Sequence, residues 1–151
     1  MKKNILDKAV AEDLILRANN LKEGDLPQWG TMTATEMLHH CNRVLNATML
    51  GEASDKKRTA KQFVLKFLFV KVMPRFPKGA KAPGRFDLKK NPATNDNFEK
   101  EKHEFLEMIE KFQRNEKEFN AHHPIFGNLT NKEWGIFTWM HMDHHLRQFG
   151  V

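Results

Sequence analysis

The last twenty residues, from Thr130 to Phe149, constrain the fold of this chain most, because they specify where a helix begins and which side chains it turns inward. Thr130 and Glu133 have the S/T-x-x-E spacing of a capping box. In that motif the threonine side chain accepts a hydrogen bond from the backbone amide of the third helical residue. The glutamate side chain accepts a hydrogen bond from the backbone amide of the threonine. A helix is therefore predicted to begin near Asn131.

Two histidines of this helix are spaced to share a metal ion. Side chains at helical spacing form one predicted inward face, and a second group is predicted to lie opposite. The inward set is Trp134, Thr138, His141, Met142, His145 and Phe149, and the opposite set is Ile136, Asp143 and Arg147. Residues four apart have β-carbons ~5–6 Å apart, so His141 and His145 can place a ring nitrogen at ~2.0–2.1 Å from one ion. Two inward histidines are also common as hydrogen-bonded core residues, so a metal site requires a third ligand.

A second helix is predicted from the same capping signal. Thr33 and Glu36 repeat the spacing, and the helix should run to about Leu50, with Gly51 ending it in a left-handed conformation. Its predicted buried stripe is Met37, Leu38, Cys41, Val44, Leu45 and Thr48. Cys41 lies near the middle of that stripe, where a free cysteine usually packs as a small hydrophobic side chain.

His40 falls at the margin of this stripe and is the candidate third ligand, although a border histidine bonded to a carbonyl is the alternative. His39 projects away from the stripe and is predicted to be solvated. Each ligand also needs an acceptor for its second ring nitrogen. The candidates for this supporting role are His144, His123, Glu36 and Gln148.

Length and composition favour one globular domain. The chain has 151 residues, of which 40% are hydrophobic and 29% charged. Cys41 is the single cysteine, which excludes an intrachain disulfide, and the first residues lack the apolar segment of a signal peptide. A cytoplasmic protein is expected. The longest apolar run, Phe63–Met73, contains two lysines and is too short to span a bilayer.

Residues 51–95 are predicted to form a long crossover between the second and third helices of the fold. Gln62–Met73 is apolar around most of its circumference, which favours a short extra helix over a strand, because a lone strand would have no partner. Residues 55–90 also hold twelve of the 25 Lys and Arg residues. A solvated basic rim around a buried apolar helix is favoured over binding of nucleic acid or an anionic membrane, and that helix is a candidate homodimer interface.

Two further amphipathic helices complete an all-α pattern. The first has its apolar residues between Val10 and Leu21, and the other follows Asp96, with an apolar face that includes Phe98, Phe105, Ile109 and Phe112.

Four features occur together in this chain: His40, the loop Trp29–Thr33, the segment His123–Gly127 and the segment Trp139–Phe149. In these features the chain resembles the DinB/YfiT-like superfamily over nearly its whole length. The resemblance implies a four-helix bundle with a long crossover between its second and third helices. It also implies a divalent metal held by one histidine of the second helix and two of the last, which match His40, His141 and His145.

The same resemblance implies a function. Characterised relatives include metal-dependent transferases that move a low-molecular-weight thiol onto an electrophile, and others are regarded as hydrolases. The branch that this chain resembles most has no assigned reaction. The leading hypothesis is therefore a metal-dependent thiol S-transferase that acts on a small molecule and uses zinc, nickel or iron. A metal-dependent hydrolase and a non-catalytic module that binds metal or a small ligand remain as alternatives. The chain has His-His-Leu-Arg-Gln where the commonest superfamily pattern has His-His-Arg-Gly-Gln, so only the three ligands are carried over.

Overall fold

The computed structural model describes residues 2–51, 59–79 and 97–151, and these are mostly helical, as predicted. A short antiparallel pair of two-residue strands joins the last two helices. The elements are α1 (Lys8–Asn20), α2 (Ala34–Met49), α3 (Ala60–Phe67), a π-helical segment (Leu68–Val72), α4 (Phe98–Gln113), β1 (His122–His123), β2 (Gly127–Asn128) and α5 (Asn131–Gln148). No helix in these described ranges is both long and apolar enough to cross a membrane.

Four of the helices pack around one core. α4 lies against both α1 and α2, and α5 lies against the same two helices. The predicted apolar face of α4 is confirmed, because Phe105, Ile109 and Phe112 are fully buried. Cys41 is also fully buried, beside the sulfur of Met37.

The starts of α2 and α5 are confirmed as capping boxes. The hydroxyl of Thr33 accepts the amide of Glu36, and that of Thr130 accepts the amide of Glu133. Each glutamate side chain accepts the amide of its threonine at 2.8 Å. These local bonds satisfy amides that have no partner within the helix and so fix where each helix begins.

The predicted left-handed end of α2 is wrong. Leu50 caps the helix, and among the described residues the glycines with positive φ are Gly30, Gly79, Gly127 and Gly150, so Gly51 is not one of them. A β-carbon at Gly51 would lie 2.3 Å from Cβ and 2.8 Å from Cα of Ala121. This position therefore needs a glycine because another part of the backbone approaches closely, and not because of its φ angle.

The helix predicted within the crossover is confirmed, and the strand alternative is wrong. α3 and the π-helical segment cover residues 60–72, whereas residues 52–58 and 80–95 of the predicted crossover lie outside the described residues, as does Asp96 before the next helix. The helix is not buried around its circumference, because Phe69 is fully buried but Phe63 is 65% exposed. Phe69 stacks on Phe126 with ring centroids 4.5 Å apart.

α5 is buried on nearly all sides, which differs from its prediction as a helix with one inward face. Ile136 and Asp143, predicted to lie opposite the inward face, are both buried. The N-terminal segment supplies part of the cover, because the amide of Ile5 donates to the carbonyl of Gly135 at 3.2 Å. Arg17 of α1 reaches the carboxylate of Asp143 on the same side.

Gly135→Ala is expected to destabilise the protein by about 1–2 kcal/mol. Alanine favours a helix by ~1 kcal/mol relative to glycine. However, its β-carbon would lie 1.9 Å from Oδ1 of Asn4, which accepts the amide of Leu6, while Nδ2 of Asn4 donates to the carbonyl of Lys132. Displacing Asn4 loses both hydrogen bonds, at ~1 kcal/mol each, and loosens the segment that covers α5.

Urea denaturation measures this difference, with Gly24→Ala as the control because, apart from its chain neighbours, no atom of the described residues lies within 4 Å of a β-carbon there. A Gly135→Ala protein more stable than the native one would show that the N-terminal segment does not pack on α5 as described.

Candidate metal centre

The structure brings together the three histidines predicted as ligands. His40 comes from α2, and His141 and His145 come from adjacent turns of α5. Their candidate ligand nitrogens all lie within 4.8 Å of one another. Nε2 of His40 lies 3.1 Å from Nε2 of His141, and the ring centroids of His40 and His145 are 4.8 Å apart. The contact between α2 and α5 therefore creates the cluster.

These distances suit a single ion. Nitrogens held at ~2.0–2.1 Å from a tetrahedral ion are about 3.3–3.4 Å from one another. The separation of 3.1 Å between the Nε2 atoms of His40 and His141 is within a few tenths of an ångström of this value. The remaining separations are no greater than 4.8 Å, and any that exceeds the tetrahedral value would have to shorten when an ion binds.

Two of the three rings, those of His141 and His145, are in the protonation state that a metal needs. Burial lowers the pKa of His141 well below its usual range, and the neighbouring rings of His145 and His40 lower it further. Burial and the proximity of His40 likewise lower the pKa of His145, although its hydrogen bond to Gln148 acts in the opposite direction. Both imidazoles are therefore neutral near pH 7 and keep a lone pair on one nitrogen.

Gln148 selects which nitrogen of His145 carries the proton. The Gln148 side-chain amide donates to the backbone carbonyl of Trp29 at 2.6 Å, which leaves its Oε1 as the acceptor that faces His145. Nδ1 of His145 lies 3.0 Å from this oxygen and must be the donor. The lone pair of His145 is therefore on Nε2. This arrangement is typical of histidine ligands, whose second ring nitrogen is held by an acceptor.

His141 is not fully satisfied by the described residues. Its Nδ1 is buried and has no hydrogen-bond partner among them. Its ring stacks on Phe137 with centroids 5.8 Å apart, which fixes the plane of the imidazole. A buried polar atom without a partner is costly, and such atoms are often found where function requires them. If Nε2 binds a metal, Nδ1 carries the proton, and none of the described residues accepts it.

His144 lies beside the cluster and does not belong to it. Burial lowers its pKa, and a hydrogen bond with the backbone of Phe76 acts against this effect. Its ring meets the rings of Trp29 and His145 edge-on, with centroids 5.7 and 5.1 Å away. His144 therefore packs the loop that contains Trp29 against the side of the candidate centre.

The other two supporting candidates have local tasks. The carboxylate of Glu36 accepts the amide of Thr33 in the capping box of α2. Nδ1 of His123 accepts hydrogen bonds from the backbone amides of Ile125 and Phe126, both at 3.1 Å. His123 thereby stabilises the turn between β1 and β2 and carries its proton on Nε2.

His123 is nevertheless connected to the cluster through an aromatic ring. Its ring centroid lies 4.5 Å from that of Phe137, which in turn stacks on His141. The turn that His123 holds therefore forms the wall behind one candidate ligand.

A buried carboxylate next to α2 is absent from the sequence-based prediction. Glu101 of α4 is 3% exposed, and its Oε1 lies 2.9 Å from Nδ1 of His39, while the amide of Asn42 donates to its Oε2 at 2.9 Å. The prediction that His39 is simply solvated is therefore wrong. Periodicity assigns the charged face of α4 to solvent, and a helical wheel contains no information on which charged residue meets a neighbouring helix.

Gln148→Met is expected to weaken metal binding by ~10–100-fold, the range found when a residue that orients a ligand is lost. Methionine retains most of the side-chain volume but offers no amide oxygen to Nδ1 of His145. Competition with a chromophoric chelator measures the affinity. Gln113→Met is the control, because that amide donates to the carbonyl of Leu6 in another part of the molecule. Equal affinities for native and Gln148→Met protein would show that Gln148 does not support metal binding.

Comparison with known proteins gives a family but not a reaction. No curated protein and no solved structure matches the chain. Residues 2–150 match the family described as "Protein of unknown function (DUF1569)". Because this match extends over almost the entire sequence, the chain belongs to the DUF1569 family.

Proposed function

We propose that the protein is a metal-dependent enzyme that acts on a small molecule, with His40, His141 and His145 as ligands of one divalent ion. The observation that supports this most is the orientation of Gln148, which leaves the Nε2 lone pair of His145 beside two other imidazoles. Three protein ligands leave coordination positions for substrate, as in catalytic sites. Imidazole donors suit zinc, nickel and iron.

The proposed architecture is the DinB/YfiT-like four-helix bundle, formed by α1, α2, α4 and α5. Its support is the pattern of neighbours: each of α1 and α2 packs on both α4 and α5. In this arrangement the connection from α2 to α4, which contains α3, is the long crossover. The candidate ligands then lie on two adjacent helices of the bundle, α2 and α5.

The proposed reaction is transfer of a low-molecular-weight thiol to an electrophile. A bound divalent ion favours the deprotonated form of a thiol, which is only a few per cent ionised at neutral pH when its pKa is ~8.5. The protein's own thiol is unsuited to the role, because Cys41 is fully buried and burial raises its pKa far above the usual range. The reacting thiol would therefore come from the substrate.

Metal-loaded protein is expected to accelerate the loss of a free low-molecular-weight thiol in the presence of an electrophile, and metal-free protein is not. Thiol consumption can be followed with glutathione, cysteine and coenzyme A against an alkyl halide, an epoxide and an activated alkene. Cys41→Ala should retain the rate, because this thiol is not accessible, and His145→Ala should lose it. Metal-dependent ester cleavage without added thiol would favour the hydrolase. Metal binding without either activity would favour the binding module.

A further inference from the structure

The outer face of α3 and the π-helical segment is an apolar surface without a partner in the described structure. Five large apolar residues are between 41% and 65% exposed there, whereas monomeric proteins usually expose such residues singly. We call this surface the α3 face; it consists of Phe63, Val64, Phe67, Leu68 and Val72, together with Lys61 and Lys71.

The opposite side of the same helix is firmly attached to the protein. Lys66 pairs with the carboxylate of Glu133 at 2.7 Å and donates to the carbonyl of Asn128 at 3.0 Å. Phe69 is fully buried and stacks on Phe126. The α3 face is thus presented outward by a helix with a fixed orientation.

The charge on this segment has one sign. Residues 59–79 contain five basic side chains and no acidic one. Lys66, Arg75 and Lys78 contact Glu133, Asp143 and Trp29 of the same chain, whereas Lys61 and Lys71 are exposed on the α3 face itself. A partner for this face must therefore be apolar and also carry negative charge.

These properties distinguish between three occupants. A second copy in a two-fold dimer would bring the same lysines together without acidic residues from this segment to neutralise them. Single-stranded nucleic acid binds by stacking on aromatic rings, but three of the five apolar residues are aliphatic. A basic helix with aromatic and aliphatic residues on one face is typical of binding at the boundary between lipid headgroups and acyl chains.

We infer that the α3 face docks on the surface of an anionic lipid bilayer. The apolar residues would enter the boundary below the headgroups, and the long stems of Lys61 and Lys71 would let their ammonium groups reach the lipid phosphates. The helix would lie parallel to the membrane and would not cross it. Phe69, on its inner side, packs against Phe137, which stacks on His141, so the docked surface lies close to the candidate metal centre.

Sedimentation of the full-length protein with lipid vesicles tests this inference. The protein should bind vesicles of phosphatidylcholine with about 30% phosphatidylserine at least tenfold more tightly than pure phosphatidylcholine vesicles, and binding should weaken as salt is added. Combined Phe63→Ser and Phe67→Ser should weaken it at least tenfold, and so should combined Lys61→Glu and Lys71→Glu. All four positions are exposed, and thermal unfolding of each variant reports whether the fold is retained.

Matched changes elsewhere provide the controls. Leu16→Ser with Leu26→Ser removes two exposed apolar residues, and Lys22→Glu with Lys111→Glu reverses two exposed charges; both should bind like the native protein. The inference is overturned if the protein does not bind these vesicles, binds both compositions equally, or is weakened equally by the control changes. It is also overturned if the native protein does not bind vesicles but binds a single-stranded oligonucleotide, and the α3-face variants abolish that binding. The same holds if the native protein forms a concentration-dependent dimer without binding vesicles, and the α3-face variants abolish the dimer.

Discussion

Replacing His40, His141 or His145 individually by alanine is expected to weaken binding of a divalent ion by at least about 100-fold. Each change removes one of three nitrogens that lie within 4.8 Å of one another. The loss should exceed the ~10–100-fold typical of residues that only orient a ligand. Isothermal titration with zinc, or chelator competition where the affinity is too high, measures the effect.

The neighbouring histidines make this experiment specific. His103→Ala should bind metal like the native protein, because His103 is exposed and contacts Glu107. His39→Ala should also retain the affinity within a few-fold, although it removes the partner of a buried carboxylate. His144→Ala should have an intermediate effect, because its ring packs beside His145. Equal losses from His39→Ala and His40→Ala would refute the assignment on α2, and a dispensable His145 would refute the assignment on α5.

Asp143→Asn is expected to destabilise the protein by about 3 kcal/mol. Asp143 is 3% exposed, and its carboxylate accepts hydrogen bonds from Nη1 of Arg17 at 3.0 Å and from Nε of Arg147 at 2.8 Å. Removing one partner of a buried ion pair typically costs ~3–5 kcal/mol, because the remaining charges lose their compensation. The lower end applies here, since Arg17 is partly exposed. Urea denaturation should show a lower midpoint and an unchanged slope.

Asp13→Asn is the matched control for this prediction. Asp13 also faces Arg17, but its side chain is 42% exposed and lies 3.8 Å from the guanidinium. Exposed pairs of this kind contribute ~0–1 kcal/mol. If the two substitutions had equal effects, the buried ion pair between Arg17 of α1 and Asp143 of α5 would not stabilise the protein more than an exposed pair does.

The features that can be predicted from the sequence are those set by local interactions. The capping boxes at Thr33 and Thr130 involve residues three apart, so each helix start is visible in the sequence. The pairing of His141 with His145 follows from helical spacing alone. His40 is distinguished from His39 because α2 has a clear apolar stripe, which fixes the direction of each side chain relative to the core.

The features that sequence reasoning misses depend on contacts between distant residues. The wheel of α5 has one inward face, but its opposite side is covered by the N-terminal segment at Gly135 and by Arg17 of α1 at Asp143. The burial of Glu101 depends on α2 meeting α4 at His39. Gly51 has the sequence position of a helix terminator, but glycine is needed there because Ala121 approaches the backbone closely. Helical periodicity identifies a face but not the partner that covers it.

Anomalous diffraction from crystals of the zinc-loaded protein, recorded on both sides of the zinc absorption edge, tests the central claim most directly. The account predicts one strong peak per chain at ~2.0–2.1 Å from Nε2 of His40, His141 and His145. It also predicts that Nδ1 of His145 keeps its bond to Gln148. A peak between His39 and Glu101, or no peak at the three histidines in protein that has been saturated with zinc, would contradict it.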